Sequence, residues 1–284
     1  MATGKKILLQ TTIPYEADDW HVGRFSLLRS ELSKENDVVA RNREAAGSGD
    51  DPVLSGLGDS DFDELWLMAV DLGGGLSEND VRGILAFRQR GGGMLTARDH
   101  MDLGSSLCTI GSLGKINHFH TRNPEPDATR HVNDDLDNPA IGYPNYHSGA
   151  NGNYQKIDVV GTPHEVLRSD RSPGGIVSHF PAHPHEGAIG VPDDAPYAKV
   201  IATGKSIVTG RPFNLVIAID GEPGLGRGIA LASFHHLVDL NWDTACGAPS
   251  FVGDKPGTEI KENPAPLAAF KDYVRNVARW LSRN

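Results

Sequence analysis

The stretch Gly91-Gly-Gly-Met-Leu-Thr-Ala-Arg-Asp-His-Met-Asp-Leu-Gly104 decides the fold. A triple glycine feeds a short apolar run (Met94, Leu95, Ala97), which stops abruptly at Arg98-Asp99-His100-Met101-Asp102. Four ionisable groups within five residues, directly after a strand, are costly to place unless they face a cleft or each other. In parallel α/β sheets the ligand crevice lies at the carboxyl ends of the strands, where this turn would sit. The stretch reads as the floor of a pocket. The plainer alternative is a charged strand-to-helix turn whose groups are solvated or paired.

Working outward, the flanking segments alternate between β and α periods. Lys6–Gln10 is a short buried strand, and Val22, Phe25, Leu28 and Leu32 recur at helical spacing between Trp20 and Lys34. Asp37–Ala40 fits a second strand, and Arg41–Ser60, rich in Gly, Ser and Asp, reads as loop. Leu65-Trp-Leu-Met-Ala-Val70 is apolar throughout, as a central parallel strand covered on both faces must be. Ser77-Glu-Asn-Asp80 opens a helix with a capping-box pattern. The alternation predicts an α/β, flavodoxin-like, doubly wound, mostly parallel sheet in which Leu8, Leu67 and Leu95 lie on neighbouring strands.

Beyond the turn the pattern changes. Residues 111–155 are irregular and rich in Asn, Asp, Pro, Gly, Tyr and His, which in a compact domain marks a functional or a disordered segment. Short strands are expected at Ile157–Val160, Glu165–Arg168, Ala198–Thr203, Phe213–Ile219 and Gly228–Phe234, and a helix from about Pro266 to Leu281. The whole reads as one domain over 1–284, with a long inserted loop region and extra strands at 105–200 and a C-terminal helix within 265–284.

Composition narrows the function. A formal net charge of −10 with no Lys/Arg cluster argues against a nucleic-acid partner. No apolar stretch approaches the roughly 20 residues that span a bilayer. No secretory signal is visible, and two cysteines, Cys108 and Cys246, suit a reducing cytoplasm. Of 12 histidines, nine fall between His100 and His185, and His235-His236 form a further pair. Histidine is the commonest metal ligand and the usual acid or base near neutrality.

Three clusters could carry chemistry: Arg98, Asp99, His100 and Asp102; His183-Pro-His185-Glu186, preceded by His179; and His235, His236, Asp239, Asn241 and Asp243 after an apolar strand. Two histidines two apart in extended backbone point to one side and can approach one ion. The layout supports a divalent metal on His183, His185, Glu186 and His235, with zinc ahead of calcium or manganese. His100 or Asp102 is then the general base, His236 a second catalytic group, and Arg98 the holder of a substrate anion. A metal-free His/Asp acid–base site remains the competing chemistry. Tempting motifs fail: Thr203-Gly-Lys-Ser206 lacks the early glycine of a phosphate loop, there is no Gly-x-Ser-x-Gly, and Cys108 stands too far beyond the turn to be a nucleophile.

The run Leu65–Val70, the helix from Asn79 and the Gly91-Gly-Gly-Met-Leu strand with its tight turn together resemble the class I glutamine amidotransferase-like superfamily. They are most similar to its ThuA-like branch, which is linked to the use of trehalose and other sugars. That branch has a turn ending in His, matched by His100. Its later glycine–arginine strand and histidine pair are matched by Gly226-Arg-Gly-Ile-Ala-Leu-Ala-Ser-Phe-His235-His236, and its mid-chain Glu by Glu186. The resemblance spans roughly residues 5–245 and implies the fold and the pocket position, not a reaction. The amidotransferase Cys is absent from the elbow, and His235-His236-Leu-Val-Asp239 replaces the His-Pro-Glu that completes the family triad, so glutamine hydrolysis through a thioester is not available. The expected activity is hydrolysis of a small polar substrate: a sugar derivative, ester, lactone or amide. The alternatives are a non-catalytic sugar- or ligand-binding protein on a degenerate fold and a metal-free His/Asp isomerase or lyase. Homo-oligomerisation is left open.

Overall fold

The computed structural model describes residues 4–131, 133–134, 138 and 140–282. Its frame is an eight-stranded sheet: β1 (Lys6–Thr11), β2 (Asp37–Arg41), β3 (Glu64–Met68), β4 (Gly93–Ala97), β5 (Asp158–Val159), β6 (Ala198–Lys205), β7 (Pro212–Ile219) and β8 (Gly228–Leu231). The order across it is β2-β1-β3-β4-β8-β7-β6-β5. The first five are mutually parallel, and β7, β6 and β5 continue the sheet as an antiparallel meander.

Burial explains the pattern. Every residue of β3, β4 and β8 is buried, because helices cover both faces, and such strands must be apolar throughout. Leu8 pairs with Leu65, Leu67 with Thr96 and Leu95 with Ile229, so the three leucines do lie on neighbouring strands. The predicted capping box opens α2 (Glu78–Gln89): Ser77 Oγ accepts from the Asp80 amide at 3.1 Å, and Asp80 accepts from the Ser77 amide at 3.0 Å. The last helix, α3 (Ala265–Leu281), buries Leu267, Phe270, Val274, Val277 and Trp280 along one stripe.

Local chemistry corrects three expectations. The helix expected from Trp20 starts as a 3-10 turn capped by His21, and α1 covers only Ser26–Leu32. Its first amides, Ser26 and Leu27, donate to the Asp239 carboxylate at 3.1 and 2.7 Å, so that residue caps a helix and performs no chemistry. Glu165–Arg168 is not a strand but a 3-10 turn over Glu165–Leu167, because the His164 ring caps it. Residues 52–55 and 57–59 form two short helical turns inside the expected loop.

Between β4 and β6, outside β5, the described chain makes short pairings, Asn117–His118 with Ala188–Ile189 and Tyr154–Lys156 with His179–Pro181, and a few isolated bridges. This region carries His183 and His185 to the ends of β4 and β8. Gly187 makes that approach possible, since a Cβ there would stand 2.5 Å from the Ala232 carbonyl and 2.7 Å from that of Asp99.

Candidate functional site

The parallel strands β1, β3, β4 and β8 all run out into one cavity of about 510 Å³. Its wall takes Trp20 from the loop after β1, Val70 and Leu72 from beyond β3, Asp99 and His100 from beyond β4, and His235 from beyond β8. The insert adds His183 and His185, and the loop before α3 adds Phe251 and Asp254. The two charged strand ends therefore share one pocket, and His100 and His235 meet at the same carboxylate.

That carboxylate is Asp99, buried at the floor. Its oxygens lie 3.4 Å from His183 Nε2, 3.2 Å from His235 Nε2 and 3.6 Å from His100 Nε2. Burial by itself would raise Asp99, but the three imidazoles around it hold it well below the usual carboxylate range. Ser233 ties the two turns together: its hydroxyl donates to Asp99 at 3.1 Å and accepts from the His235 amide at 3.0 Å. The backbone is tight here, with Met101 at φ 47°, the sole non-glycine at positive φ among the described residues.

The proton on His183 can be placed by following its neighbours. Asn241 Oδ1 accepts from the Gly152 amide at 2.6 Å, so its Nδ2 donates, at 2.9 Å, to Asn151 Oδ1. Asn151 Oδ1 is thereby an acceptor, and His183 Nδ1, 3.1 Å away, must donate to it. Burial and the neighbouring His235 pull His183 well below its ordinary value, against Asp99, so the ring is neutral. Its Nε2 lone pair faces Asp99 with no hydrogen-bond partner among the described residues. The His183 and His235 rings stack at 3.5 Å, with Trp20 edge-on to His235 at 4.7 Å.

Asp99, His183 and His235 each offer one ligand atom, all within 4.8 Å of one another. The two imidazole nitrogens stand 3.4 and 3.2 Å from different oxygens of Asp99, and an imidazole, imidazole and carboxylate set is a donor set that zinc takes. The Nδ1–H of a ligating histidine is held by an oxygen acceptor in such sites, which is the role of Asn151 here. Calcium, which takes six to eight oxygens, does not suit two imidazoles.

The structure sorts the expected residues. His100, His183, His185 and His235 line the cavity; His185 Nε2 lies 3.4 Å from Asp254 Oδ2, beside the trio rather than in it. Burial pulls His100 down to about 4 despite Asp99, so it is a neutral base. Arg98 does not reach the cavity. It is fully buried over the Phe119 ring and donates to the carbonyls of His118, Met101 and, at 3.3 Å, Ala188, so it clamps the insert and does not line the cavity. Asp102 accepts from Thr121 N at 3.0 Å and Oγ1 at 2.8 Å, which makes it a loop cap and not a base. Glu186 and His236 point away from the cavity and meet each other at 3.1 Å. They are adjacent in sequence to cavity residues: Glu186 follows His185 at a β-bridge to Tyr146, where side chains alternate, and His236 follows His235 in a 3-10 turn, which rotates each side chain by about 120°. His118, His120, His147 and His179 lie elsewhere. Cys108 is inert, its thiol pushed up to about 11 by burial. Asp99 was in view as part of the first cluster but not as a ligand. Asn241 was in view within the third cluster but not as an orienting group, and Asn151 and Asp254 carried no signal, since nothing local marks a residue that acts by orienting a distant ring.

Comparison with solved structures follows from this geometry. A ThuA-like protein from Parabacteroides merdae superposes with a TM-score of 0.54 at 16% identity, over 99% of this chain and 90% of the other. The fold is ThuA-like. That is the fold that the resemblance of the Gly91–Gly104 stretch implied. A ThuA-like protein from Bacteroides uniformis (TM-score 0.48, 10% identity, 99% of this chain and 93% of the other) and the glutaminase domain of Trypanosoma brucei CTPS with bound acivicin (0.43, 13%, 95% and 93%) are more distant. No protein-family model matches the sequence, and no curated protein matches it. Among the described residues, no helix is long and apolar enough to cross a membrane.

Proposed function

We propose that this ThuA-like protein is a metal-dependent hydrolase of small polar molecules bearing an ester, lactone or amide bond, free or on a sugar. The observation that carries the reading is the convergence of Asp99, His183 and His235 at the floor of an open cavity, with the His183 Nε2 lone pair unclaimed. A divalent cation held there would polarise a carbonyl and acidify water.

The chain's own groups supply the rest. Asn151 keeps the His183 proton on Nδ1 and the lone pair on Nε2. His100, neutral and 3.6 Å from Asp99, is placed to take a proton from attacking water. His185, backed by Asp254, faces His100 with ring centroids 5.4 Å apart and can return a proton to the leaving group. The same donor set also holds ferrous iron in oxygenases, so the ion must be named by measurement.

Elemental analysis of the purified protein, read beside an ester, lactone and amide panel with and without chelator, tests the reading. One equivalent of zinc and chelator-sensitive turnover are expected, both lost in His183→Ala. A wild-type protein that takes up no divalent metal, or whose turnover survives chelation, overturns it.

A further inference from the structure

The floor of the cavity is polar and buried, whereas its mouth is apolar and open. Leu72 is 81% exposed and Phe251 62% exposed, yet both line the same space as Asp99. Large apolar side chains held in water around a cleft mark a contact surface. They are held there by construction. Ser250 anchors the Phe251 loop to Asp18 through two hydrogen bonds, the Ser250 amide donating to Asp18 Oδ1 at 2.7 Å and its hydroxyl to Oδ2. The Phe251 ring thereby stands edge-on to Trp20 at 6.4 Å. Val70, Leu103 and Ile141 extend the apolar wall.

Charge makes a second selection. Asp19 and Asp254 also line the cavity, and among the described residues no lysine or arginine does. The one cation near the floor, Arg98, is turned into the core. An anionic group at the mouth would meet two carboxylates in the lining and, among the described residues, no lysine or arginine of that lining.

Resting on the hydrolase reading, we propose that the substrate carries an apolar arm without negative charge, lodged between Trp20, Leu72 and Phe251, with its reacting group at the histidine floor. Neutral esters, lactones or amides with an aliphatic or aromatic substituent fit; carboxylated or phosphorylated substrates do not.

A matched amide series on the full chain, zinc-loaded and chelated, tests this by calorimetry: acetamide, hexanamide, the monoamide of adipic acid and 6-aminohexanamide. Hexanamide should bind at least tenfold more tightly than acetamide, and the anionic adipic monoamide at least tenfold more weakly than hexanamide, with 6-aminohexanamide ahead of the anion. Phe251→Ala combined with Leu72→Ala should erase the hexanamide preference and leave metal content unchanged, and Asp19→Asn should narrow the penalty on the anion. Equal binding of hexanamide and acetamide, or of hexanamide and the adipic monoamide, overturns the proposal whether or not zinc is bound. If the protein retains no zinc while the arm and charge preferences persist, the hydrolase reading fails and the arm site stands.

Discussion

Two histidine–carboxylate clusters sit back to back in this molecule, built from neighbouring residues: His235 and His185 serve one, His236 and Glu186 the other. The second is sealed. His236 donates from Nδ1 to the Pro181 carbonyl at 2.9 Å and turns Nε2 to Glu186, while Glu186 accepts from Ser148 Oγ at 2.8 Å and Gln155 Nε2 at 2.5 Å. Burial by itself would lower His236, but the facing Glu186 outweighs it and raises the ring above its ordinary value. In the open cluster a single carboxylate faces three imidazoles, and His183 keeps a lone pair that no group in the described chain uses. The residue types are the same. What separates them is setting: one imidazole and one carboxylate shut behind the cavity, against three imidazoles and one carboxylate at its floor.

The largest effect expected is on stability, in the sealed pair. Glu186→Ala leaves the Ser148 hydroxyl, the Gln155 amide and His236 Nε2 without their buried carboxylate and should cost about 3 kcal/mol in chemical denaturation. A loss below about 1 kcal/mol together with loss of metal would make Glu186 a ligand after all and dissolve the distinction. In the open cluster Asp99→Ala should do the reverse. Zinc affinity should fall by at least about 100-fold in a competition titration with a chelating dye, while denaturation in chelator changes by less than about 1 kcal/mol.

Asn151→Ala sharpens the comparison, because Asn151 lines the cavity and holds the His183 ring but belongs to neither carboxylate cluster. Losing the acceptor for His183 Nδ1–H should cost about 10–100-fold in zinc affinity in the same titration, with Asn151→Asp recovering part of it. Unchanged affinity would mean that packing alone orients the ring.

The smallest effect concerns a buried acid with no histidine at all. Glu64 accepts from Trp66 Nε1 at 2.8 Å and from Ser282 Oγ, and burial raises it to about 7. A raised carboxyl means the folded state binds the extra proton. Its contribution is fully present below the ordinary value of 4.5 and is lost as pH rises through about 7. Wild type should therefore lose about 1–2 kcal/mol between pH 5 and pH 8 relative to Glu64→Gln. Parallel pH profiles for the two proteins would show that Glu64 does not titrate in that window.

Much of the fold was legible because its signals are local. A strand buried on both faces must be apolar at every position, and β3 and β4 announce themselves in that way. A capping box needs two residues three apart, as at Ser77 and Asp80. That charged turns end β4 and β8 was equally plain, and so was the likeness to ThuA-like proteins. The 3-10 turn at Glu165–Leu167 was missed because histidine is not an expected capping residue, and His164 acts as one only once its ring is placed.

By itself, then, the sequence determined an α/β sheet, a pocket at two strand ends and a histidine-rich floor. Only the tertiary structure decided which histidines face that floor. His235 and His236 differ by one residue and point to opposite sides. Arg98 and Asp99 part in the same way, one to the Phe119 ring and the other to the cavity. The choice depends on the insert packing against the β4 and β8 turns through Gly187, and on Asn151 and Asn241 reaching across some ninety residues. Periodicity is written in neighbouring residues, but the direction of a side chain in an irregular turn is set by whatever packs against it.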